Sequence, residues 1–124
     1  MKFTLDSRDD INLIRGYAPG EVRIGEQVVR APCIVTAERL ILDWAPEDVA
    51  ALTVAQLAPI FELQPDVVLL GTGAKQTFPA GAVRQAFAAR NVGLEVMDLG
   101  AACRTYNILV QEERRVAAVL FPAG

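Results

Sequence analysis

The sequence contains no histidine, and its one serine is Ser7. A Ser–His or Cys–His nucleophilic pair therefore cannot be assembled from this chain. The two cysteines, Cys33 and Cys103, lie far apart. Without imidazole they leave mainly carboxylates as ligands, a poor set for zinc, so no metal is expected. Nor do two cysteines at that spacing make a disulfide framework. General acid–base work would fall to Asp, Glu, Lys, Tyr or Cys. These absences favour a protein that is not an enzyme, and no cofactor is expected.

A dominant charge is missing too. The 12 basic and 15 acidic side chains are scattered and give a net charge of −3. With no basic block, a nucleic-acid partner is not expected. The start, MKFTLDSRDD, has no apolar core of the signal-peptide kind. No apolar run approaches the roughly 20 residues that cross a bilayer. The expectation is a cytoplasmic protein with reduced thiols and no membrane insertion.

What is present suits one domain over residues 1–124, with 1–10 as a mobile tail. Apolar residues make up 52% of the chain, enough for a real core. A chain of this length buries roughly two thirds of its unfolded surface.

The first half reads as β. Residues 11–18 alternate loosely. Residues 21–24 and 27–30 flank Gly25-Glu26, a two-residue hairpin loop. Pro32 breaks the ladder, and 33–36 and 40–43 are two further β-rich pieces. The stretch suggests a meander of short antiparallel strands. Trp44, ahead of Pro46, suits a loop anchor better than an interface.

The second half alternates helix and strand. Thr53 can cap a helix through Val54, Leu57, Ile60 and Phe61, which Pro59 should kink or shorten. Residues 67–70 form a continuous apolar run of the kind buried on both faces. A helix follows Pro79 and ends at Asn91 and Gly93. Residues 94–97 are a second buried strand. Asp98 caps a helix to about Glu112, and 114–121 is the last strand. The order β-α-β-α-β predicts a mostly parallel sheet of the α/β class with right-handed crossover helices.

In that arrangement the loop Gly71-Thr72-Gly73 and the helix start at Asp98 share one edge, where open α/β sheets bind ligands. Glycines free backbone N–H groups, and a helix N-terminus adds partial positive charge. Lys75 could add a full charge. Arg104 lies about 9 Å along the helix from Asp98, with Asn107 one turn further on. The candidate ligand set is Gly71, Thr72, Gly73, Lys75, Asp98, Arg104 and Asn107, and the ligand is a small anion. The glycine pattern lacks both the third glycine of a dinucleotide fingerprint and the ending of a P-loop. A tight strand exit with a solvated lysine is the simpler reading. Leu99, Ala102, Cys103, Tyr106, Leu109 and Val110 form the buried stripe of the last helix. Cys103 reads as a small core residue, and Tyr106 as core with its hydroxyl at the rim. The adjacent acids Asp9-Asp10, Glu47-Asp48 and Glu112-Glu113 read as solvated charge.

The segments LLGTGAKQTFP (69–79), GLEVMDLGAACRTYNIL (93–109) and RRVAAVLF (114–121) carry a resemblance. They resemble the family of mitochondrial complex I assembly factor 3 and its bacterial and archaeal relatives. That family includes the adipogenesis-associated domain-containing protein and is known as a domain of unknown function. The likeness runs from about Ile11 onward. It implies three layers: a central mixed sheet, helices, and a small N-terminal antiparallel β subdomain. It implies a role in protein assembly and no catalytic residue. Glu113 stands where many relatives have glycine, and Leu99 where many have threonine.

Two functions follow. The first is a non-enzymatic interaction or assembly protein, with an unidentified protein partner or a homo-oligomeric state. The alternative is a binder of a small anionic ligand at the Gly71–Gly73 loop and the Asp98 helix N-terminus, with or without an enzymatic activity of its own.

Overall fold

In the computed structural model, residues 10–44 and 46–123 are described. The tail expected over 1–10 lies, except for Asp10, outside the described residues, as does Ser7. The described chain forms two sheets. Strands β1 (Ile14–Ala18), β2 (Glu21–Ile24) and β3 (Gln27–Val29) make an antiparallel meander. Gly25 turns the β2–β3 hairpin at φ 58°, a value that glycine adopts without steric cost.

The meander is shorter than the sequence pattern predicts. Strands β4 (Cys33–Val35) and β5 (Leu40–Ile41) leave it and join the larger sheet with β6 (Val67–Gly71), β7 (Gly93–Met97) and β8 (Val116–Leu120), in the order β5-β4-β8-β6-β7. Burial explains the difference. Val22 and Ile24 of β2 alternate with the exposed Arg23, whereas Cys33, Ile34 and Val35 are all buried. A strand covered on both faces belongs inside a layered sheet. Strand β4 runs antiparallel to β8 (Val116–Leu120), pairing Cys33 with Leu120.

The centre of the sheet is parallel. Strand β6 (Val67–Gly71) runs with β7 (Gly93–Met97) on one side and with β8 on the other. The direction of the last strand, open in the sequence, is therefore that of β6.

Alternation along these strands divides the core. Val68, Leu70, Ala117 and Val119 face Ile60, Val83 and Phe87 of helices α1 (Ala58–Glu62) and α2 (Gly81–Ala89). Leu69, Val116, Ala118 and Leu120 face Ala102, Cys103 and Tyr106 of α3 (Leu99–Gln111), where Val22 and Ile24 of the meander join them. The result is a three-layer α/β architecture with the meander beside α3. Each fully buried large apolar side chain contributes about 1.5–3 kcal/mol.

Pro59 falls in the first turn of α1, where its missing N–H breaks no helical bond. A 3-10 turn over Val54–Leu57 precedes it. Trp44 anchors its loop as expected: Nε1 donates to the Gln56 carbonyl at 2.9 Å and the ring packs on Phe121. No helix among the described residues is long and apolar enough to cross a membrane.

Candidate functional site

Strands β6, β7 and β8 end on one rim because they are parallel and in register, with Gly71 beside both Met97 and Leu120. The expected meeting of the glycine exit and the Asp98 helix start occurs there. Thr72 N–H donates to the Met97 carbonyl at 2.9 Å, and Leu99 N–H donates to the Gly73 carbonyl at 2.8 Å.

Each residue at this rim has a definite place. Gly71 is buried beneath α3. A Cβ there would lie 2.9 Å from Ala102 Cβ and 3.0 Å from a Leu120 methyl, so the bare backbone lets helix and strand approach. Thr72 is buried as well and organises the loop. Its hydroxyl donates to the Lys75 carbonyl at 2.6 Å and accepts the Thr77 N–H at 3.0 Å. Gly73 sits at φ 79°, in the left-handed region. Asp98 caps α3, its Oδ1 accepting the Ala101 N–H at 2.9 Å.

The crevice above this rim has a volume of about 380 Å3 and is walled by Tyr17, Gly73, Asp98, Gly100, Arg104 and Pro122. Three of the seven candidate residues, Gly73, Asp98 and Arg104, line it. Gly71 and Thr72 lie beneath them. Lys75 is exposed and is not among the lining residues. Asn107 is turned to another task. Its Oδ1 accepts the Ile14 N–H at 2.9 Å and its Nδ2 donates to the Ile14 carbonyl at 2.8 Å. It thereby closes the outer edge of β1. One turn earlier on α3, Arg104 Nη1 donates to the Tyr17 hydroxyl at 2.7 Å. The polar side of α3 thus holds β1 at two points.

Tyr17 is the rim residue that sequence reasoning missed. Its partners lie more than eighty positions away, and no local pattern around it signals them. Tyr106 is a core residue, as expected, and its hydroxyl donates to the Asn12 carbonyl at 2.7 Å in a partly buried setting.

Electrostatics at the rim are largely internal. The Asp98 carboxylate occupies one N–H of the helix start and the Gly73 carbonyl another, while the Arg104 guanidinium meets a phenol. An incoming anion must compete with these bonds. Burial pushes the Cys33 thiol up to about 12, helped by the nearby Cys103. Burial likewise pushes Cys103 up to about 12, against a lowering by Arg104. The Tyr106 phenol is also raised, chiefly by burial. All three are held in the protonated state at neutral pH, so neither thiol is a poised nucleophile. Among the described residues, no three Cys, Asp or Glu side chains converge to hold a cation.

Comparison with known proteins agrees with this architecture. A Danio rerio protein named NADH dehydrogenase [ubiquinone] 1 alpha subcomplex assembly factor 3 is 33% identical over 112 residues. That match covers 89% of this chain and 64% of the relative, so the chain spans just under two thirds of its length. A Francisella tularensis protein named 13 kDa major membrane protein is 31% identical over 106 residues, covering 84% of this chain and 85% of its own. The solution structure of a Xanthomonas campestris protein superposes with a TM-score of 0.86 at 34% identity, covering 94% of this chain and 88% of that one. Residues 14–121, nearly the whole described fold, match one family model, and the chain belongs to that family, the proteins of unknown function DUF498/DUF598.

Proposed function

We propose that this chain is a non-enzymatic interaction module that takes part in assembling a larger protein complex. The observation that carries this reading is the similarity to complex I assembly factor 3 across almost the entire fold. The site chemistry supports it. The polar groups of the rim are spent on holding the loop, α3 and β1 together, and the thiols are buried and protonated. The partner is a protein, and for the related assembly factor the complex named is the NADH dehydrogenase.

The test is the native mass of the chain in its source cells. A tagged copy at natural expression level, crosslinked and purified, should bring down the same protein in near-stoichiometric amount in every replicate. A chain that elutes as a bare monomer, with nothing enriched over an untagged control, overturns the reading.

A second reading rests on the crevice. It is large enough for a small metabolite and has Arg104 on its wall. A small anion bound there would draw Arg104 away from Tyr17. Its test is thermal unfolding with inorganic phosphate and a nucleotide panel, using the wild type and Arg104→Ala. A stabilisation that the Arg104→Ala chain lacks supports it, and a flat panel removes it.

A further inference from the structure

The order of the large sheet leaves β7 at an edge. Its backbone divides strictly by position. Gly93 N–H donates to the Asp66 carbonyl and the Met97 carbonyl accepts from Thr72 N–H. With the parallel register, this turns the polar backbone groups of Gly93, Glu95 and Met97 toward β6. Those of Leu94 and Val96 face the open side. Among the described residues, one side chain meets this open row. Gln76, in the loop after β6, donates its Nε2 to the Val96 carbonyl at 2.8 Å. The Leu94 N–H, the Leu94 carbonyl and the Val96 N–H remain presented outward.

Beside this edge, between β7 and α2, runs a groove of about 560 Å3. Leu94, Val96 and Phe87 form its apolar floor, with Phe78 and Arg84 at its lip. Phe78 is 54% exposed, with the Arg84 guanidinium 5.4 Å from its ring centre. On the other face of β7, Glu95 is exposed. An open strand edge next to an apolar groove is the arrangement that strand-adding peptide sites use.

We propose that β7 is a strand-addition site for an extended segment of a partner protein. Its alternate residues are apolar, and a Lys or Arg stands between them. The apolar residues fall beside Leu94 and Val96, over the groove, and the cation falls beside Glu95. Charge decides against a second copy of this chain. Antiparallel pairing of two β7 strands that uses both outward residues sets Glu95 directly opposite Glu95, which is destabilising. A shift of two residues either way runs the pairing past one end of the strand. Gln76 acts as a guard that the incoming strand displaces from the Val96 carbonyl. This proposal rests on the assembly reading and names the surface that the partner engages.

The probe is a fluorescent, capped heptapeptide of alternating valine and threonine with lysine at its centre. A matched peptide carries glutamate there. Fluorescence anisotropy with the full chain should show saturable binding of the lysine peptide, several-fold tighter than the glutamate peptide. Glu95→Lys should reverse that order, and Gln76→Ala should tighten both. Val96→Pro removes one outward N–H and no ladder bond, as edge positions tolerate. It should weaken binding by roughly two- to tenfold, the loss of one hydrogen bond. Hydrogen exchange of the wild type, which needs no variant to fold, should show Leu94 and Val96 amides protected by the lysine peptide and the Ile14 amide unchanged. Absence of saturable binding to wild type and Gln76→Ala, or indifference to Glu95→Lys, overturns the proposal. A Val96→Pro chain that folds and recovers its cellular partner as fully as the wild type also overturns it, yet leaves the assembly reading intact. A wild type with no cellular partner overturns the assembly reading whatever the peptides do.

Discussion

The Tyr17 ring of β1 rests on the backbone of Gly100 in α3, so closely that a methyl group at position 100 would lie 2.9 Å from its Cε1, Cζ and hydroxyl atoms. The same hydroxyl takes the Arg104 hydrogen bond. One glycine thus sets both the wall of the crevice and the orientation of its cation.

Gly100→Ala is expected to swing Tyr17 outward and free Arg104, with little change in stability. Tyr17 is 46% exposed and has room to move, and alanine exceeds glycine in helix propensity by about 1 kcal/mol. Gly71→Ala is the contrasting case. Its added methyl meets Ala102 and Leu120 in the core, where nothing can swing away, and should cost about 1–3 kcal/mol. Urea titrations of the two variants, with nuclear Overhauser contacts between Tyr17 and Gly100, distinguish them. Equal destabilisation would contradict this account.

Asn107→Leu should destabilise the fold by about 1–3 kcal/mol, because Ile14 loses partners for both backbone groups in a partly buried setting. Hydrogen exchange at the Ile14 amide should accelerate before global unfolding. A ligand-binding role alone would leave stability unchanged, so the measurement separates clamp from contact.

Stability should fall in alkaline solution. Cys33 and Cys103 are raised from 9.0 to about 12. The unfolded chain therefore loses these protons first as pH rises. The stabilisation is whole below about pH 9 and is lost up to about pH 12. Each thiol contributes a slope of about 1.4 kcal/mol per pH unit within that window. Urea midpoints at pH 7 to 11 check this, and a Cys33→Ala/Cys103→Ala chain should show a shallower decline. Iodoacetamide should label the native wild type slowly at pH 8.

Glu113→Gly should stabilise the chain by about 0.5–1 kcal/mol. Glu113 holds φ at 63°, in the left-handed region, between α3 and β8. That conformation costs a side-chain-bearing residue about 1–2 kcal/mol, and the extra freedom of unfolded glycine returns about 0.5–1. A higher urea midpoint at unchanged slope is the expected result.

Much of the fold was legible in the residues. Residues 67–70 and the apolar centre 116–120 of the strand expected over 114–121 read as buried because no polar residue interrupts them, and the strands found are Val67–Gly71 and Val116–Leu120. Asp98 read as a cap by its residue type, and its carboxylate does accept the N–H three residues on. The Gly25 hairpin was equally local. The placement of β4 was harder, since three apolar residues after Pro32 fit a meander or a central sheet equally well. Its pairing with Leu120 lies 87 positions away.

The candidate site divided along the same line. The rim shared by Gly73 and Asp98 followed from the parallel order of β6 and β7. The duties of Arg104 and Asn107 did not, because their partners, Tyr17 and Ile14, come from a strand whose position over α3 no periodicity encodes.

By itself the sequence determined what depends on near neighbours, burial and composition: the strand and helix types, the cap, and the exclusion of Ser–His and Cys–His nucleophilic pairs. Tertiary structure alone decided what depends on distant backbones meeting. It assigned Asn107 and Arg104 to β1, pressed Gly71 against Ala102, and left the backbone groups of Leu94 and Val96 on the open side of an edge strand. Hydrogen bonds and close packing act over a few ångströms in space, whatever the separation along the chain.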